Sequence, residues 1–377
     1  MDSKKQTTYS DSGVNIELGD NASKILYNAS RLTWENRKGR LGEIIVPFDD
    51  FSGIRYIDIG NLPKDSVLSL GFDGIGTKVE IAERMNNHST IAYDLFAMVC
   101  DDAVVRGAEP VLIGTVFDVN TLGNNNKTYI QQMHQLAESY INAAKAANIA
   151  VINGELAELG SRVSGFGDFN YNWCAGVIWF AKKDRIFTGN EIQPGDYCIG
   201  LKEPGFRSNG LSLVRKVFSE AYGDKWHLKE FKEEKLGDLV LTPSTIYSAC
   251  VSSIFGGFDS EPKAELHAVS HITGGGLPGK LGRILKPSGL GADIDNPFTP
   301  ADIILHCQEK GNIPDREAYR TWNMGQGMVL ITPEPEKAIR IAEEFNIEAK
   351  TIGKITEDKG IRIKSKGFFS KDEELEF

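Results

Sequence analysis

Apolar positions fall in short runs separated by glycine, proline and charged clusters, and their period switches between strand-like and helix-like along the chain. Val67 to Leu70 reads as a strand and an amphipathic helix begins at Val79, so Phe72-Asp73-Gly74-Ile75-Gly76-Thr77-Lys78 is a strand-to-helix turn. Helix-like stretches are expected from about Ala22 to Trp34, over Thr90 to Ala108, Thr128 to Ala147, Leu211 to Tyr222, Thr242 to Phe255, Leu281 to Leu285 and Lys337 to Phe345. Strands are expected at Val111 to Val119, Ile149 to Ile152, Trp173 to Phe180, Tyr197 to Leu201, Val329 to Ile331 and Thr351 to Ile355. Residues 1 to 12 read as a polar, mobile arm, and 223 to 238 as a charged, solvated excursion. Strands alternate with helices in both halves without a defensible repeat, which predicts an α/β or α+β class. The charged junction Lys182-Lys183-Asp184-Arg185 divides the chain into domains at 1–183 and 184–377.

Composition narrows the function. With 41% apolar residues in 377, the chain can bury a sizeable core. A formal charge of −10 argues against nonspecific nucleic-acid or acidic-membrane binding, both of which need a basic surface. Five widely spaced cysteines without a CxxC pair predict reduced core thiols in a cytoplasmic protein. No run approaches the ~18 apolar residues of a membrane span.

The chemistry concentrates at glycine turns. In the turn from Asp73 to Lys78, two glycines let backbone approach a ligand while a carboxylate, a hydroxyl and an ammonium project from the same corner. That set suits a metal-bound phosphate, with Asp73 for a hard cation and Lys78 on oxygen, although it is neither a Walker loop nor a Rossmann fingerprint. In the helix over Thr90 to Ala108, Asp94 and Asp101 share a face and Asp102 lies about 100° round from Asp101. These carboxylates read either as a solvated stripe or as groups held by a partner or metal. Glu155 follows a strand and Gly154; Ser208-Asn209-Gly210 opens a helix; and His271-Ile272-Thr273-Gly274-Gly275-Gly276 pairs a histidine with three glycines. The last two read either as anion-holding backbone or as an N-cap and a tight crossover.

In sequence order these segments resemble the phosphoribosylformylglycinamidine cyclo-ligase, or aminoimidazole ribonucleotide synthetase, family from about Ser10 to Ile355. The family's Asp-Gly-Val-Gly-Thr-Lys turn is met by Asp73 to Lys78, and its histidine-led helix ending in Gly-Ala-Glu-Pro by His88 to Pro110. Its Ser-Asn-Gly before Tyr-Ser-Leu-Val-Arg-Lys is met by Ser208 to Lys216, its His-Leu/Ile-Thr-Gly-Gly-Gly by His271 to Gly276, and its Tyr-Arg-Thr by Tyr319 to Thr321. The resemblance implies a two-domain fold, with an N-terminal sheet pairing across a homodimer interface and a C-terminal mixed-sheet α/β domain. It implies ATP bound near that interface with Mg²⁺ on its phosphates, and a ribonucleotide substrate whose formyl-amide oxygen is phosphorylated before an internal nitrogen closes the imidazole ring. Carried residue by residue, it makes Asp73, Asp102 and Glu155 the metal carboxylates and Asp73, Gly74, Gly76, Thr77, Lys78, Asp102, Gly154 and Glu155 the ATP contacts. Arg207, Ser208, Asn209, Gly210 and Thr273, Gly274, Gly275, Gly276 would face the substrate, and Lys78, Asp94 and His271 are the catalytic candidates, His271 as proton donor or orienting group.

Departures from the family pattern cluster on the substrate side. Asp101-Asp102 stands where the family has Asn-Asp, Asn153-Gly154-Glu155-Leu156 replaces Gly-Gly-Glu-Thr, and Arg207 replaces the histidine of His-Ser-Asn-Gly. Thr115 replaces an aspartate, and the family's glycine-rich loop at 42 to 53 is changed. A cyclo-ligase is the first reading. The alternatives are an ATP-dependent phosphoryl-transfer enzyme of the same superfamily acting on another small substrate, and a nucleotide-binding homologue without turnover.

Overall fold

A computed structural model describes residues 15–45, 55–124, 126–258 and 260–377. The N-terminal arm and most of the altered loop at 42 to 53 lie outside those residues. Two main sheets carry the chain, each flanked by helices, as an α/β arrangement. The first has four strands, β1 (Ser66–Gly74), β2 (Glu109–Val119), β3 (Ala150–Glu158) and β4 (Tyr171–Lys182), in the order β1-β4-β2-β3. β4 is antiparallel to both β1 and β2, whereas β2 and β3 run parallel and are joined by a long helix. Helices α1 (Ile16–Thr33), α2 (Lys78–Met85), α3 (Ile91–Val104) and α4 (Ile130–Ala147) belong to this half. They cover one face of the sheet, where Phe96, Tyr140, Phe117 and Trp173 pack in the core.

Among the described residues, the other face carries exposed apolar side chains. Leu68 is 58%, Leu70 51%, Phe72 76% and Val116 46% exposed, four large apolar side chains on one sheet. Gly176, between Phe72 and Gly114 in the register, leaves the Phe72 ring room to lie over the strand: a Cβ there would meet that ring at 2.7 Å.

The second sheet has seven strands: β5 (Tyr197–Lys202), β6 (Ala268–His271), β7 (Gly291–Ile294), β8 (Gln326–Thr332), β9 (Ala349–Thr356), β10 (Ile361–Lys364) and β11 (Glu374–Glu376). Their order is β6-β8-β5-β9-β7-β10-β11, antiparallel except for β7 beside β10. The longer helices of this half are α5 (Leu211–Tyr222), α6 (Ser248–Phe255), α7 (Gly276–Leu285), α8 (Asp302–Lys310), α9 (Asp315–Thr321) and α10 (Pro335–Glu344), and a short helical segment covers Leu236–Val240.

Several boundaries differ from expectation for local reasons. β3 runs on through Asn153-Gly154-Glu155 to Glu158, because β2 offers a parallel ladder along that whole length. Helix α6 begins at Ser248 rather than Thr242: Asp101 Oδ1 accepts the N–H groups of Tyr247 and Ser248 at 2.8 Å each, a tertiary cap invisible in the local sequence. The charged excursion is only partly solvated, since Trp226 is fully buried and packs against Phe218. Among the described residues no helix is long and apolar enough to cross a membrane, and all five cysteines are unpaired.

Candidate active site

The site forms where the end of β1, the C-terminal turn of α3 and two glycine turns of the second half meet. Strand β1 ends at Asp73-Gly74, and Gly76 takes φ +68°, a left-handed turn that costs glycine little and leads into α2. A Cβ on Gly76 would lie 4.0 Å from the Ser208 carbonyl, and one on Gly274 would lie 3.5 Å from Asn209 Oδ1, so the three turns converge. Asn209 also reaches back to α3, its Nδ2 lying 3.7 Å from Met98 Sδ. Glycine is required at the base of α7. Gly276 has φ +61°, and a Cβ there would sit 1.8 Å from the Tyr319 carbonyl oxygen.

Charge gathers at this junction. Asp73 Oδ1 accepts the N–H of Gly74 at 2.7 Å, and Asp102 Oδ1 lies 2.8 Å from His271 Nδ1. Burial pushes the Asp73 carboxyl above its ordinary range, and the negative charge of Asp102 adds to the push. Burial would raise Asp102 as well, but the hydrogen bond from His271 and the nearby charges of Lys280 and Arg207 hold it below the usual carboxylate range. Two carboxylates repel each other here, an arrangement that a divalent cation would relieve. Two such ligands with substrate phosphates are a normal Mg²⁺ environment. The residues present therefore fit the ion, through Asp73 and Asp102.

Lys280, a turn into α7, is the cation that the sequence reading missed. Its ammonium interacts with both Asp102 and Asp73, while burial and Arg283 lower its pKa. The available signal was its spacing: four residues after Gly276, it shares the face that the glycine turn opens. The Ser208 hydroxyl is buried with no hydrogen-bond partner among the described residues, an unmet group that a ligand oxygen would satisfy.

Four expected site residues need correction. Lys78 does not reach the site: it is fully buried, with Nζ 2.7 Å from Asp94 Oδ1 and 2.7 Å from the Thr242 carbonyl. Asp94 is equally buried and also accepts from Ser244 Oγ at 2.5 Å, so this pair bridges α3 to the segment before α6 and is no solvated stripe. Glu155 is not gathered with Asp73. The register Asp73–Ala175–Thr115–Gly154 spans three strand gaps, about 14 Å at normal sheet spacing. Glu155 pairs with Val116, which faces the exposed apolar side, and it borders a cavity of about 350 Å³ with Tyr27, Trp34 and Tyr140. Among the described residues no group of three or more His, Cys, Asp or Glu is placed to hold a metal. Arg207, expected at the substrate, is buried behind His271 with its guanidinium committed to protein groups. Asp73, Asp102 and His271 lie together, and the turns that carry Gly76, Ser208-Asn209 and Gly274 meet beside them.

Comparison with known proteins places this geometry in a context. Residues 55–170 match the family model described as AIR synthase related protein, N-terminal domain, and residues 193–366 match the corresponding C-terminal domain. The phosphoribosylformylglycinamidine cyclo-ligase of Methanococcoides burtonii is 34% identical over 364 residues, covering 96% of this chain and 98% of that protein. The protein of the same name from Pyrococcus furiosus is 32% identical over 362 residues, with coverages of 96% and 98%. Among solved structures, E. coli HypE aligns with a TM-score of 0.57 at 14% identity, covering 92% of this chain and 95% of that one. Thiamine-monophosphate kinase from Stenotrophomonas maltophilia aligns with a TM-score of 0.56 at 12% identity, covering 93% and 97%. At those identities the structural matches establish the fold alone.

Proposed function

This chain belongs to the phosphoribosylformylglycinamidine cyclo-ligase, or AIR synthase, family of ATP-dependent ligases, and on that premise we propose that Asp73, Asp102 and Lys280 form its nucleotide-phosphate end. The activity is ring closure of formylglycinamidine ribonucleotide to aminoimidazole ribonucleotide in purine biosynthesis, with ATP converted to ADP and phosphate. The observation that carries the placement is that Asp73, at the end of β1, and Asp102, held by His271 at 2.8 Å, stand where two glycine turns of the second half meet the first. Mg²⁺ held by Asp73 and Asp102 would neutralise charge on the transferring phosphoryl group.

The protein's own residues then have distinct tasks. The Gly74 and Ile75 N–H groups are taken by Asp73 Oδ1 and the Trp173 carbonyl, so Gly76, Thr77 and the start of α7 supply the N–H donors to phosphate oxygens, and Lys280 adds a point charge. Ser208, Asn209 and the turn from Thr273 to Gly276 hold the ribonucleotide so that its amide oxygen faces the phosphoryl donor. Such a reaction gains most from positioning and charge neutralisation, and nothing in this set requires a protein nucleophile. In this reading residues 1–183 supply the two carboxylates and the Gly76–Thr77 turn of the nucleotide end, and 184–377 supply Lys280 and the substrate end. Purified protein given formylglycinamidine ribonucleotide, ATP and MgCl₂ is expected to release phosphate in step with imidazole formation. ATP binding without turnover on that substrate would instead favour the phosphoryl-transfer or binding-only alternatives.

The exposed apolar face of the first sheet supports a homodimer. An apolar surface formed by Leu68, Leu70, Phe72 and Val116 is costly to leave in water, and a second copy of the same face would cover it. Glu155 stands on that side, so it would join a nucleotide site only in the assembled dimer. Phe72→Glu is expected to halve the mass measured by light scattering while leaving the circular dichroism spectrum intact; an unchanged mass would exclude this face. Unpaired cysteines fit a cytoplasmic location, where thiols stay reduced.

A further inference from the structure

Behind the site lies a buried ionic cluster centred on Arg207. Arg207 Nη1 donates to Glu203 Oε2 at 2.6 Å and to the Thr245 carbonyl at 2.9 Å. Its Nη2 donates to Asp101 Oδ2 at 3.0 Å and lies 2.9 Å from His271 Nε2. Tyr247 packs under the guanidinium at 5.2 Å. Arg207 takes φ +61°, a backbone conformation uncommon outside glycine and asparagine, so the cluster holds it in a strained corner. Burial would lower its pKa, but Glu203 and Asp101 together raise it above the ordinary value.

The direction of the Arg207–His271 bond is decided by chemistry. A guanidinium has only N–H donors, so at 2.9 Å the imidazole Nε2 must present its lone pair. The single ring proton then sits on Nδ1 and is donated to Asp102 Oδ1, 2.8 Å away. Asp101 Oδ2, at 3.9 Å from Nε2, is too distant to compete.

We propose that Arg207 is a positioning residue: it fixes His271 in the Nδ1–H tautomer, and His271 in turn orients the Asp102 carboxylate toward the nucleotide site. His271 then serves as a strut, with no proton on the nitrogen that a general acid at Nε2 would need. Asp101 and Arg207 act as a unit, since the carboxylate fixes the guanidinium and also caps α6. This assignment rests on the reading of Asp102 as a metal carboxylate, but its first step does not depend on activity.

Full-length protein labelled with ¹⁵N-histidine tests that step. The His271 resonances, assigned by their loss in His271→Gln, are expected to show a protonated Nδ1 and a lone-pair Nε2. A protonated Nε2 overturns the proposal. Removing Arg207 alone would strand buried carboxylates, so the variant test uses the background Asp101→Asn/Glu203→Gln. There, Arg207→Met is expected to shift His271 toward the Nε2–H tautomer and raise KM for MgATP roughly 10-fold, the lower range for removing such a supporting partner. Arg207→Gln, which retains an N–H donor, is expected to keep both near the background values. Equal KM and equal tautomers in the Met and Gln versions would overturn the relay. Asp102→Asn separates the underlying reading: unchanged MgATP binding there would sink the metal assignment while leaving the tautomer result to stand or fall on the spectra.

Discussion

Asp73→Asn is expected to lower kcat/KM for MgATP by about 100-fold or more, with the fold retained. The substitution is nearly isosteric and its side-chain oxygen still accepts from the Gly74 N–H, so the turn keeps its shape. What it removes is half of the paired negative charge that would bind the cation. Mutations that remove one preorganised charge-stabilising contact at a phosphoryl or acyl centre cost on the order of 10²–10³ in rate. The loss should fall partly on magnesium itself, so a titration at fixed ATP is expected to saturate at a higher MgCl₂ concentration than for the wild type. An isolated effect on kcat with an unchanged magnesium requirement would mean that Asp73 acts on substrate and not through a metal. Full activity with an unchanged requirement would remove Asp73 from the site.

The same carboxylate shows what the sequence makes legible. Asp73 is flanked by an apolar strand and two glycines, so both its place at a strand end and its access to a ligand follow from local pattern. Asp102 is legible as a carboxylate one residue off the face of its neighbours, and α3 does leave it half exposed while burying Asp101 completely. What the pattern does not carry is the partner. Asp94 and Asp101 look like a solvated stripe because their cations stand far away in sequence, Lys78 on the next helix back and Arg207 in the other half of the chain. The start of α6 is hidden for the same reason. Local sequence favours a helix from Thr242, where Pro243 suits a first turn, yet the free N–H groups of Tyr247 and Ser248 meet a carboxylate from α3. Lys280 lacks a motif of its own and becomes visible only when α7 places it beside two acids. Local chemistry thus fixes the turns, and long-range ion pairs decide which charged residues are left to face a ligand.

Lys78 gives the sharpest test of that distinction. Lys78→Met is expected to destabilise the protein by about 3–5 kcal/mol in urea unfolding, because it leaves Asp94 as an uncompensated buried charge. The Thr242 carbonyl loses its donor as well, which adds to the cost. The double variant Lys78→Met/Asp94→Leu removes both charges and is expected to recover more than half of that loss. Recovery is incomplete because Ser244 Oγ donated to Asp94 and is left without its acceptor. Kinetics on the folded double variant then separate two roles. If Lys78 is the clamp between α2, α3 and the segment before α6, kcat/KM for MgATP stays within a few-fold of wild type once the fold is restored. If Lys78 instead swings out to meet phosphate, stability recovers and turnover does not, because a methionine side chain has no charge to offer in any conformation of the chain. The buried geometry favours the first outcome: both Lys78 and Asp94 are 0% exposed, and releasing the ammonium would break a 2.7 Å bond to each of two partners in opposite halves of the molecule.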